Sequence, residues 1–221
     1  MCCTGCSSRD RALTTLWHPK PDDAGLPVRL RKPSLASSLD AWPDAAALAL
    51  VAPEGLMPAA LNGVAFAPSR QVPETIAAWE ALANTMLIDE PLFHAPPGFK
   101  RAAGVVVREA DGRVWVVAPS NAFGGYQATF PKGGMDGKSP KATALLEAFE
   151  ETGLQVRLTG FLVDVQRSTS YTRYFLGERI GGNPAAMGWE SQAVMLAPVA
   201  LLRQVLNSPR DLPIIEALKK A

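Results

Sequence analysis

The chain has 221 residues, of which 48% are hydrophobic and 19% are charged, and its formal net charge is +1. These values are ordinary for a globular protein built as one large domain, or as one domain plus an extension. The near-neutral charge gives no electrostatic reason to expect a nucleic-acid or membrane partner. The longest apolar run, residues 45–52, is far shorter than a membrane-spanning helix requires.

The placement of the cysteines favours a reducing compartment. Cys2, Cys3 and Cys6 are the three cysteines of the chain, so the remaining residues cannot form a disulfide. The same stretch has no apolar segment typical of a secretory signal, and we therefore expect a cytoplasmic protein. A zinc site is disfavoured because only His18 lies nearby and no second cysteine pair follows.

Proline and alanine distinguish residues 1–90 from the rest of the chain. Twelve of the nineteen prolines precede residue 100, and most of this part has no clean hydrophobic period. We therefore predict a partly irregular N-terminal extension, with a possible short helix within 38–52. A clearer helix is predicted near 74–87, just after Pro73. Its apolar side would carry Ile76, Trp79, Leu82 and Met86.

The remaining residues, 91–221, alternate short apolar runs with turn signals and are predicted to form the main domain. Residues 89–99 indicate a linker that leads into this domain. Strands are predicted at 100–109, 114–120, 126–130, 154–168, 170–180 and 192–198. Helices are predicted at 140–152, 198–207 and 211–220, with Asp211 as the N-cap of the last. Because strands outnumber helices and tight turns join several of them, we predict an α+β fold with a mixed sheet.

The helix at 140–152 has an apolar back and an acidic front. Glu147, Glu150 and Glu151 fall within roughly 100° of arc on one side of this helix. Ser139 is placed to cap the helix, and Gly153 is placed to end it. No Lys or Arg balances the three carboxylates within a turn. Like charges at these spacings cost about 0.2–0.5 kcal/mol per pair.

This arrangement has two explanations. The acidic face is either simply solvated, or it surrounds a cation that reverses the sign of the repulsion. Hard divalent cations prefer carboxylate oxygens, and the glycine loop before the helix, with Gly133 and Gly134, allows backbone groups to approach a phosphate closely. Together these features indicate metal-assisted attack of water on a polyphosphate.

The stretch "FPKGG…EAFEETGL" resembles the Nudix box, G-x5-E-x7-R-E-U-x-E-E-x-G-U, in which U is apolar. The second half of the box is matched by Glu147, Ala148, Glu150, Glu151, Gly153 and Leu154. Its opening glycine is matched by Gly133. The resemblance covers about residues 100–210 and implies the Nudix α/β/α sandwich.

The resemblance also implies an activity, hydrolysis of a nucleoside diphosphate linked to another moiety, with Mg²⁺ or Mn²⁺ as cofactor. Glu147, Glu150 and Glu151 would then be metal ligands, together with the backbone carbonyl of Lys132. Glu151, or a loop carboxylate, would polarise the attacking water. Glu190 occupies the region where many Nudix enzymes keep that additional acid, although it could also be a plain loop residue.

Three departures from the pattern bear on catalysis more than on the fold. The family arginine is replaced by Leu146, and the family glutamate of the loop is replaced by Lys138. The interval from Gly133 to Glu150 is one residue shorter than the pattern, which makes the Lys132 carbonyl a less certain ligand. Many proteins of this family are dimers, so a homodimer is possible.

Substrate contacts are expected from the strand at 170–180 and from the loop. Arg173 could bind a phosphate with its planar guanidinium, and Tyr171 could stack on a base. Tyr126 is a similar aromatic candidate. The simpler alternative is an exposed arginine on the sheet and aromatic rings that only pack.

Two other functions remain open. The first is a Nudix fold that binds a nucleotide or a partner without hydrolysis, which the departures favour. The second is a P-loop nucleotide-binding protein, because "GGMDGKS" approaches G-x-x-x-x-G-K-[ST]. Only three residues separate Gly133 from Gly137 where that motif needs four, and the predicted hairpins downstream do not suit it.

Overall fold

The computed structural model describes residues 16–31, 35–68, 71–120 and 127–221. The strands in these ranges are β1 (Ala49–Val51), β2 (Ala60–Leu61), β3 (Val64–Ala65), β4 (Lys100–Val107), β5 (Val114–Pro119), β6 (Lys132–Gly134), β7 (Leu154–Gln166), β8 (Ser170–Gly182) and β9 (Ser191–Ala197). The α-helices are α1 (Ile76–Asn84), α2 (Pro140–Thr152), α3 (Leu202–Val205) and α4 (Leu212–Leu218). None of the helices in the described ranges is both long and apolar enough to cross a membrane.

The strands form a mixed arrangement. One sheet has the order β6-β4-β8-β7, in which β4 and β8 run parallel and the other neighbours run antiparallel. A second sheet has the order β1-β9-β5 and is antiparallel throughout. The strands β2 and β3 form a separate hairpin. The prediction of a mixed sheet is therefore confirmed.

The sheets lie between two layers of helices. Alternate residues of β4 belong to different core clusters, with Val105 on the α2 side and Val106 on the α4 side. This alternation follows from the two-residue period of a strand, which sends successive side chains to opposite faces. Leu145 of α2 is buried in the first cluster, and Ile214 of α4 in the second. The predicted α+β fold, an α/β/α sandwich, is therefore confirmed.

Helix α2 begins and ends as its sequence predicts. The Ser139 hydroxyl accepts a hydrogen bond from the Ala142 amide at 3.2 Å, and Pro140 occupies the first helical position. Gly153 ends the helix with a φ of 69°, and its amide donates to the Phe149 carbonyl at 2.8 Å. A left-handed residue at this position favours glycine because glycine has no β-carbon to clash.

The N-terminal extension packs closely against the main domain. Strand β1 of the extension pairs with β9 in the second sheet. Three buried arginines of the domain donate hydrogen bonds to the extension: Arg113 to the Trp42 carbonyl at 2.5 Å, Arg179 to the Leu61 carbonyl at 2.9 Å, and Arg173 to the Glu90 carboxylate at 2.7 Å. The extension thus shares strands and polar contacts with the domain, and the division at residue 90 stays a prediction.

Two predictions for the extension were wrong in detail. Helix α1 is shorter than the predicted 74–87, and Trp79 and Ala83 are its buried residues. Ile76, predicted on the apolar side, is 57% exposed. Residues 38–52 contain only a 3-10 turn at Leu39–Ala41 and then strand β1, because pairing with β9 overrides the helical preference of the alanines.

Two predictions near the C-terminus also need correction. The helix predicted at 198–207 is a 3-10 turn, Val199–Leu201, followed by the four residues of α3. Asp211 lies at the N-cap position of α4 but makes no side-chain capping bond there. Its buried carboxylate instead accepts a hydrogen bond from Arg167 at 2.8 Å. The described residues of the strand predicted at 126–130 form one isolated β-bridge, between Thr129 and Val117, and no longer strand.

Candidate active site

Two of the three glutamates of α2, Glu147 and Glu151, contact the glycine strand β6. Glu151 is buried, and one of its carboxylate oxygens accepts a hydrogen bond from the Lys132 amide at 2.9 Å. The Glu147 carboxylate lies against Gly133 so closely that a β-carbon on that glycine would stand 2.1 Å from the Glu147 Oε1 atom. A β-carbon at this position would displace the Glu147 carboxylate, because real β-carbons are not found at such distances.

Pairing with β4 holds the glycine strand β6 beside the Glu147 carboxylate. β6 is antiparallel to β4, with Gly133 opposite Ala103 and Lys132 opposite Gly104. A β-carbon on Gly104 would meet the Pro131 carbonyl oxygen at 2.4 Å. The residues of the predicted glycine loop are therefore fixed to the sheet on one side and contact the helix on the other.

The fourth carboxylate, Glu190, comes from the loop of residues 183–190, which we call the Glu190 loop. The Gly188 amide donates to the Glu150 carbonyl at 2.7 Å, and the Ser120 amide donates to the Glu190 carbonyl at 2.7 Å. A side chain at Gly188 would collide with the Glu150 carbonyl oxygen, at 2.2 Å from its β-carbon. These contacts fix the loop against the C-terminal turn of α2, and they bring Glu190 to the other acids.

Burial, and then the negative charge of neighbouring acids, raises the affinity of the four acids for protons. Burial, followed by the charges of Glu151, Glu150 and Glu190, raises the pKa of Glu147 to about 8. Burial is also the main cause that raises the pKa of Glu151 to about 7, against the opposing effect of Lys132. Burial and mutual repulsion disfavour the ionised form of a carboxyl group, so a cation placed among these groups would be stabilised.

The pKa values of the two more exposed acids, Glu150 and Glu190, are raised as well. Burial, and then the charge of Glu190, raises the pKa of Glu150. Burial, and then the charge of Asp23, raises the pKa of Glu190. Asp23 lies in the N-terminal extension and accepts a hydrogen bond from the Trp189 indole at 3.1 Å. Sequence reasoning missed Asp23, because it stands in a Pro-rich stretch far along the chain from the Nudix box.

Lys132 is the basic residue whose charge acts most widely on the site. It lowers the pKa of Glu147, Glu151 and Glu190 against the effect of burial. Leu146, which stands at the position of the family arginine, packs against the hydrophobic core on the α2 side. Positive charge therefore reaches the glutamates from Lys132 of β6 and, at Glu150, from Lys138 of the loop before α2.

The donor set suits a hard divalent cation. Carboxylate oxygens are the ligands that such ions prefer, and the repulsion described above would be relieved by one. Within the described ranges, however, no three Asp, Glu, His or Cys side chains already surround a single metal position. Joint binding of one ion by Glu147, Glu150 and Glu151 stays a prediction, and it would require their carboxylates to move toward that ion.

The predicted phosphate-binding residue Arg173 is already engaged in an ion-pair network. It is 1% exposed, so the simpler alternative of an exposed arginine was wrong. Its guanidinium donates two hydrogen bonds to Asp164, at 2.9 and 2.8 Å, and one to Glu90 at 2.7 Å. It also lies over the Phe93 ring, 4.6 Å from the centroid. Because the guanidinium is buried within this network, a phosphate could contact Arg173 only if the residues around it moved, and its binding role stays a prediction.

The other predicted substrate residues have different surroundings. The Tyr171 ring stacks on Phe93 with centroids 5.8 Å apart and an angle of 17° between the planes. Gly134 lies beside the Asp136 carboxylate, which a β-carbon there would meet at 2.8 Å. Tyr126 lies outside the residues that the structure describes. Base stacking by the two tyrosines stays a prediction.

Comparison with known proteins agrees with this geometry. The family model of the NUDIX domain matches residues 98–218. Nudix hydrolase 25 from Arabidopsis thaliana is 40% identical over 60 residues, which make up 27% of this chain. The aligned segment spans 33% of the length of that curated relative.

Solved structures of Nudix proteins are also similar. A NUDIX hydrolase from Nitrosomonas europaea has a TM-score of 0.47 at 15% identity, covering 55% of this chain and 89% of that one. The Ap4A hydrolase of C. elegans, solved as a binary complex, has a TM-score of 0.46 at 15% identity, covering 55% and 96%. Because the NUDIX match extends over more than half of the residues and contains the whole glutamate helix, this chain belongs to the Nudix family.

Proposed function

We propose that the protein is a divalent-metal-dependent Nudix hydrolase that cleaves a phosphoanhydride bond in a nucleoside diphosphate linked to another moiety. Glu147, Glu150 and Glu151 would hold Mg²⁺ or Mn²⁺, with the Lys132 carbonyl as a further candidate ligand. The ion would polarise phosphate oxygens and lower the pKa of a water molecule. Pyrophosphohydrolase activity is consistent with membership of the family.

The observation that supports this proposal is a group of four neighbouring acids, two of which contact the strand of glycines. Glu147 is held against Gly133, and Glu151 is held by the Lys132 amide. Burial, and then the charges of the three other acids, raises the pKa of Glu147 to about 8. A solvated acidic helix face would not bury Glu151 or bring a loop acid to it.

Two carboxyl groups are candidates for the proton acceptor. Glu151 is buried and accepts a hydrogen bond from the Lys132 amide, which holds its carboxylate in place beside β6. Glu190 lies in the Glu190 loop and is exposed, so it can reach a water molecule on the open side. We assign Glu190 and Glu151 as the catalytic pair, with Glu151 also serving as a ligand.

The test is turnover of a substrate panel with Mg²⁺ or Mn²⁺. The panel contains ADP-ribose, NADH, diadenosine polyphosphates and nucleoside triphosphates, and released phosphate products are measured. We expect one of these substrates to be hydrolysed, and Glu151→Gln to lower kcat by about 10²–10⁴-fold. Glu74→Gln, which changes an exposed glutamate of the extension, is the matched control. Equal kcat in the Glu151→Gln variant and the unaltered protein would contradict the assignment of Glu151.

The identity of the substrate depends on residues that the motif does not include. Gly133 and Gly134 are proposed to approach the phosphates, and Tyr171, Tyr126 and Arg173 are the candidates for the remainder of the substrate. The panel decides among these substrate classes. A cytoplasmic location and a homodimer remain predictions from the cysteine placement and from the family.

A Nudix protein that binds its ligand without hydrolysis is the second candidate. Leu146 packs in the core where the family has an arginine, and Arg173 is committed to Asp164 and Glu90. This alternative predicts nucleotide binding by calorimetry with no products released. The P-loop alternative is not supported, because β7 and β8 form an antiparallel hairpin after α2 and not a parallel β-α unit.

A further inference from the structure

The N-terminal extension contacts the loop that carries Glu190. Residues 16–31, which we call the N-terminal hairpin, make three polar contacts with residues 186–192. The Lys20 ammonium donates to the Ala186 carbonyl at 2.5 Å, and the Arg31 amide donates to the Gln192 side chain at 2.5 Å. Between these two contacts, the Trp189 indole donates to Asp23 at 3.1 Å. Glu190 thus lies inside the segment that the hairpin contacts.

The hairpin has an ordered turn that presents Asp23. Its two arms are joined by a bridge between Trp17 and Arg29. At the turn, the Asp22 carboxylate accepts hydrogen bonds from the Ala24 amide at 3.0 Å and from the Leu26 amide at 2.8 Å. This pattern is typical of Asx-type turns, in which the side chain stabilises the backbone locally. Asp23, the next residue, therefore has a defined backbone position.

The backbone of the Glu190 loop is held from the opposite side. The Ser120 hydroxyl donates to the Trp189 carbonyl at 2.6 Å, and the Ser120 amide donates to the Glu190 carbonyl at 2.7 Å. The indole of Trp189 is half-buried, and its hydrogen bond to Asp23 fixes the direction of the ring. Trp189 is thereby held by Ser120 through its carbonyl and by Asp23 through its side chain.

We propose that Asp23 is a positioning residue for Glu190 and acts through its hydrogen bond to Trp189. The inference rests on the proposed function, in which Glu190 is a catalytic acid. A fixed indole fixes the backbone of residue 189, and this sets the direction in which the next side chain leaves the loop. Small displacements of a catalytic group have large effects on rate. The N-terminal extension is therefore a part of the active site.

The test separates the hydrogen bond from the charge. Asp23→Ala removes both, Asp23→Asn keeps an oxygen that can accept from the indole, and Trp189→Phe removes only the donor. Asp40→Ala, which changes an exposed aspartate of the extension, is the matched control. Amide hydrogen exchange of residues 183–192 measures the order of the Glu190 loop, and kcat and KM measure the effect on catalysis. Tm confirms that each variant is folded.

We expect Asp23→Ala and Trp189→Phe to raise loop exchange by about fivefold, as for the loss of one hydrogen bond. Their kcat should fall by about tenfold, with KM within about twofold of the unaltered protein. Asp23→Asn should recover most of the kcat, and Asp40→Ala should change neither quantity. If the contact between Asp23 and Trp189 only stabilised the fold, its loss would lower Tm but would not lower kcat at an unchanged KM.

Two results would overturn the inference. Unchanged loop exchange and kcat in Asp23→Ala would show that the hydrogen bond positions nothing. A loss of kcat in Asp23→Asn as large as that in Asp23→Ala, with Trp189→Phe unaffected, would assign the effect to charge instead. No turnover by the unaltered protein would refute the proposed function first, and would refute the catalytic part of this inference with it.

Discussion

The Glu147 carboxylate occupies the space beside Gly133 that any β-carbon would need, since its Oε1 atom would lie only 2.1 Å from such a carbon. This contact joins the acidic front of α2 to the glycine strand β6. A β-carbon at residue 133 would therefore force the Glu147 carboxylate out of its present position.

Gly133→Ala is expected to displace the Glu147 carboxylate and to weaken divalent-metal binding by about tenfold or more, because groups that hold a metal ligand in place affect metal affinity by that much. Calorimetric titration with Mn²⁺ gives the affinity. Gly160→Ala is the matched control, because a β-carbon at that residue meets no atom within 4 Å. Equal Mn²⁺ affinity in the two variants would contradict the importance of the contact.

The raised pKa of Glu147 predicts that the metal-free protein becomes less stable as pH rises. The folded state binds this proton more tightly than the unfolded state, whose pKa stays near 4.5. The contribution of Glu147 to the free energy of unfolding is therefore greatest below the unfolded pKa. It is lost as pH rises toward the folded pKa of about 8. Each kcal/mol lost lowers Tm by about 2–4 °C in a chain of this size.

Tm measured from pH 5 to pH 9 in a chelator checks this prediction. Glu147→Gln should flatten the fall of Tm with pH, because glutamine cannot ionise. Mg²⁺ should restore Tm in the unaltered protein at pH 8 and much less in the variant. A metal-free Tm that rises between pH 5 and pH 8 would contradict the assigned direction of the shift.

Lys132 is expected to be the main cation that counters the acidic site. Lys132→Met removes a charge that lowers the pKa of Glu147, Glu151 and Glu190. Metal binding should then require a higher pH, because the carboxyl groups must lose their protons to bind a cation. Mn²⁺ affinity measured at several pH values checks this, with Lys100→Met as the control at an exposed position. An identical pH dependence in both variants would refute the role.

The attachment of the N-terminal extension to the domain is expected to depend on the buried Arg179. Arg179 donates to Glu109 and to the Leu61 carbonyl, and both side chains are buried. Arg179→Met should lower the free energy of unfolding by about 3–5 kcal/mol, because it leaves Glu109 without its cationic partner. Chemical denaturation measures the loss.

The control for this change is Arg157→Met, which breaks the exposed pair with Glu178. Such surface pairs contribute at most about 1 kcal/mol. Similar losses in Arg179→Met and Arg157→Met would mean that the buried network does not anchor the extension.

Local signals in the sequence are enough to predict α2 and its ends. Ser139, Pro140 and Gly153 act within a turn of the helix, so their roles can be inferred from neighbouring residues alone. The family resemblance was confirmed for the same reason, because the box residues lie within one short stretch. The layers of the sandwich follow from strand periodicity, which the apolar runs show directly.

Contacts between distant residues could not be predicted in this way. The burial of Arg173 depends on Asp164 in β7 and on Glu90 before β4, and nothing in its own strand indicates either partner. Asp211 was predicted as a helix cap, but Arg167 competes for its carboxylate. The contact of Asp23 with Trp189 joins residues 166 positions apart, and no spacing rule applies at that distance.

The central claim is that Glu147, Glu150 and Glu151 share a divalent cation. Its most direct test is calorimetric titration of the intact protein with Mn²⁺ at pH 8, beside Glu147→Gln, Glu150→Gln, Glu151→Gln and the control Glu74→Gln. We predict one Mn²⁺ site in the unaltered protein and in the control, weakened by at least about tenfold in each of the other variants. No uptake of Mn²⁺ by the unaltered protein, with or without ADP-ribose present, would contradict the account.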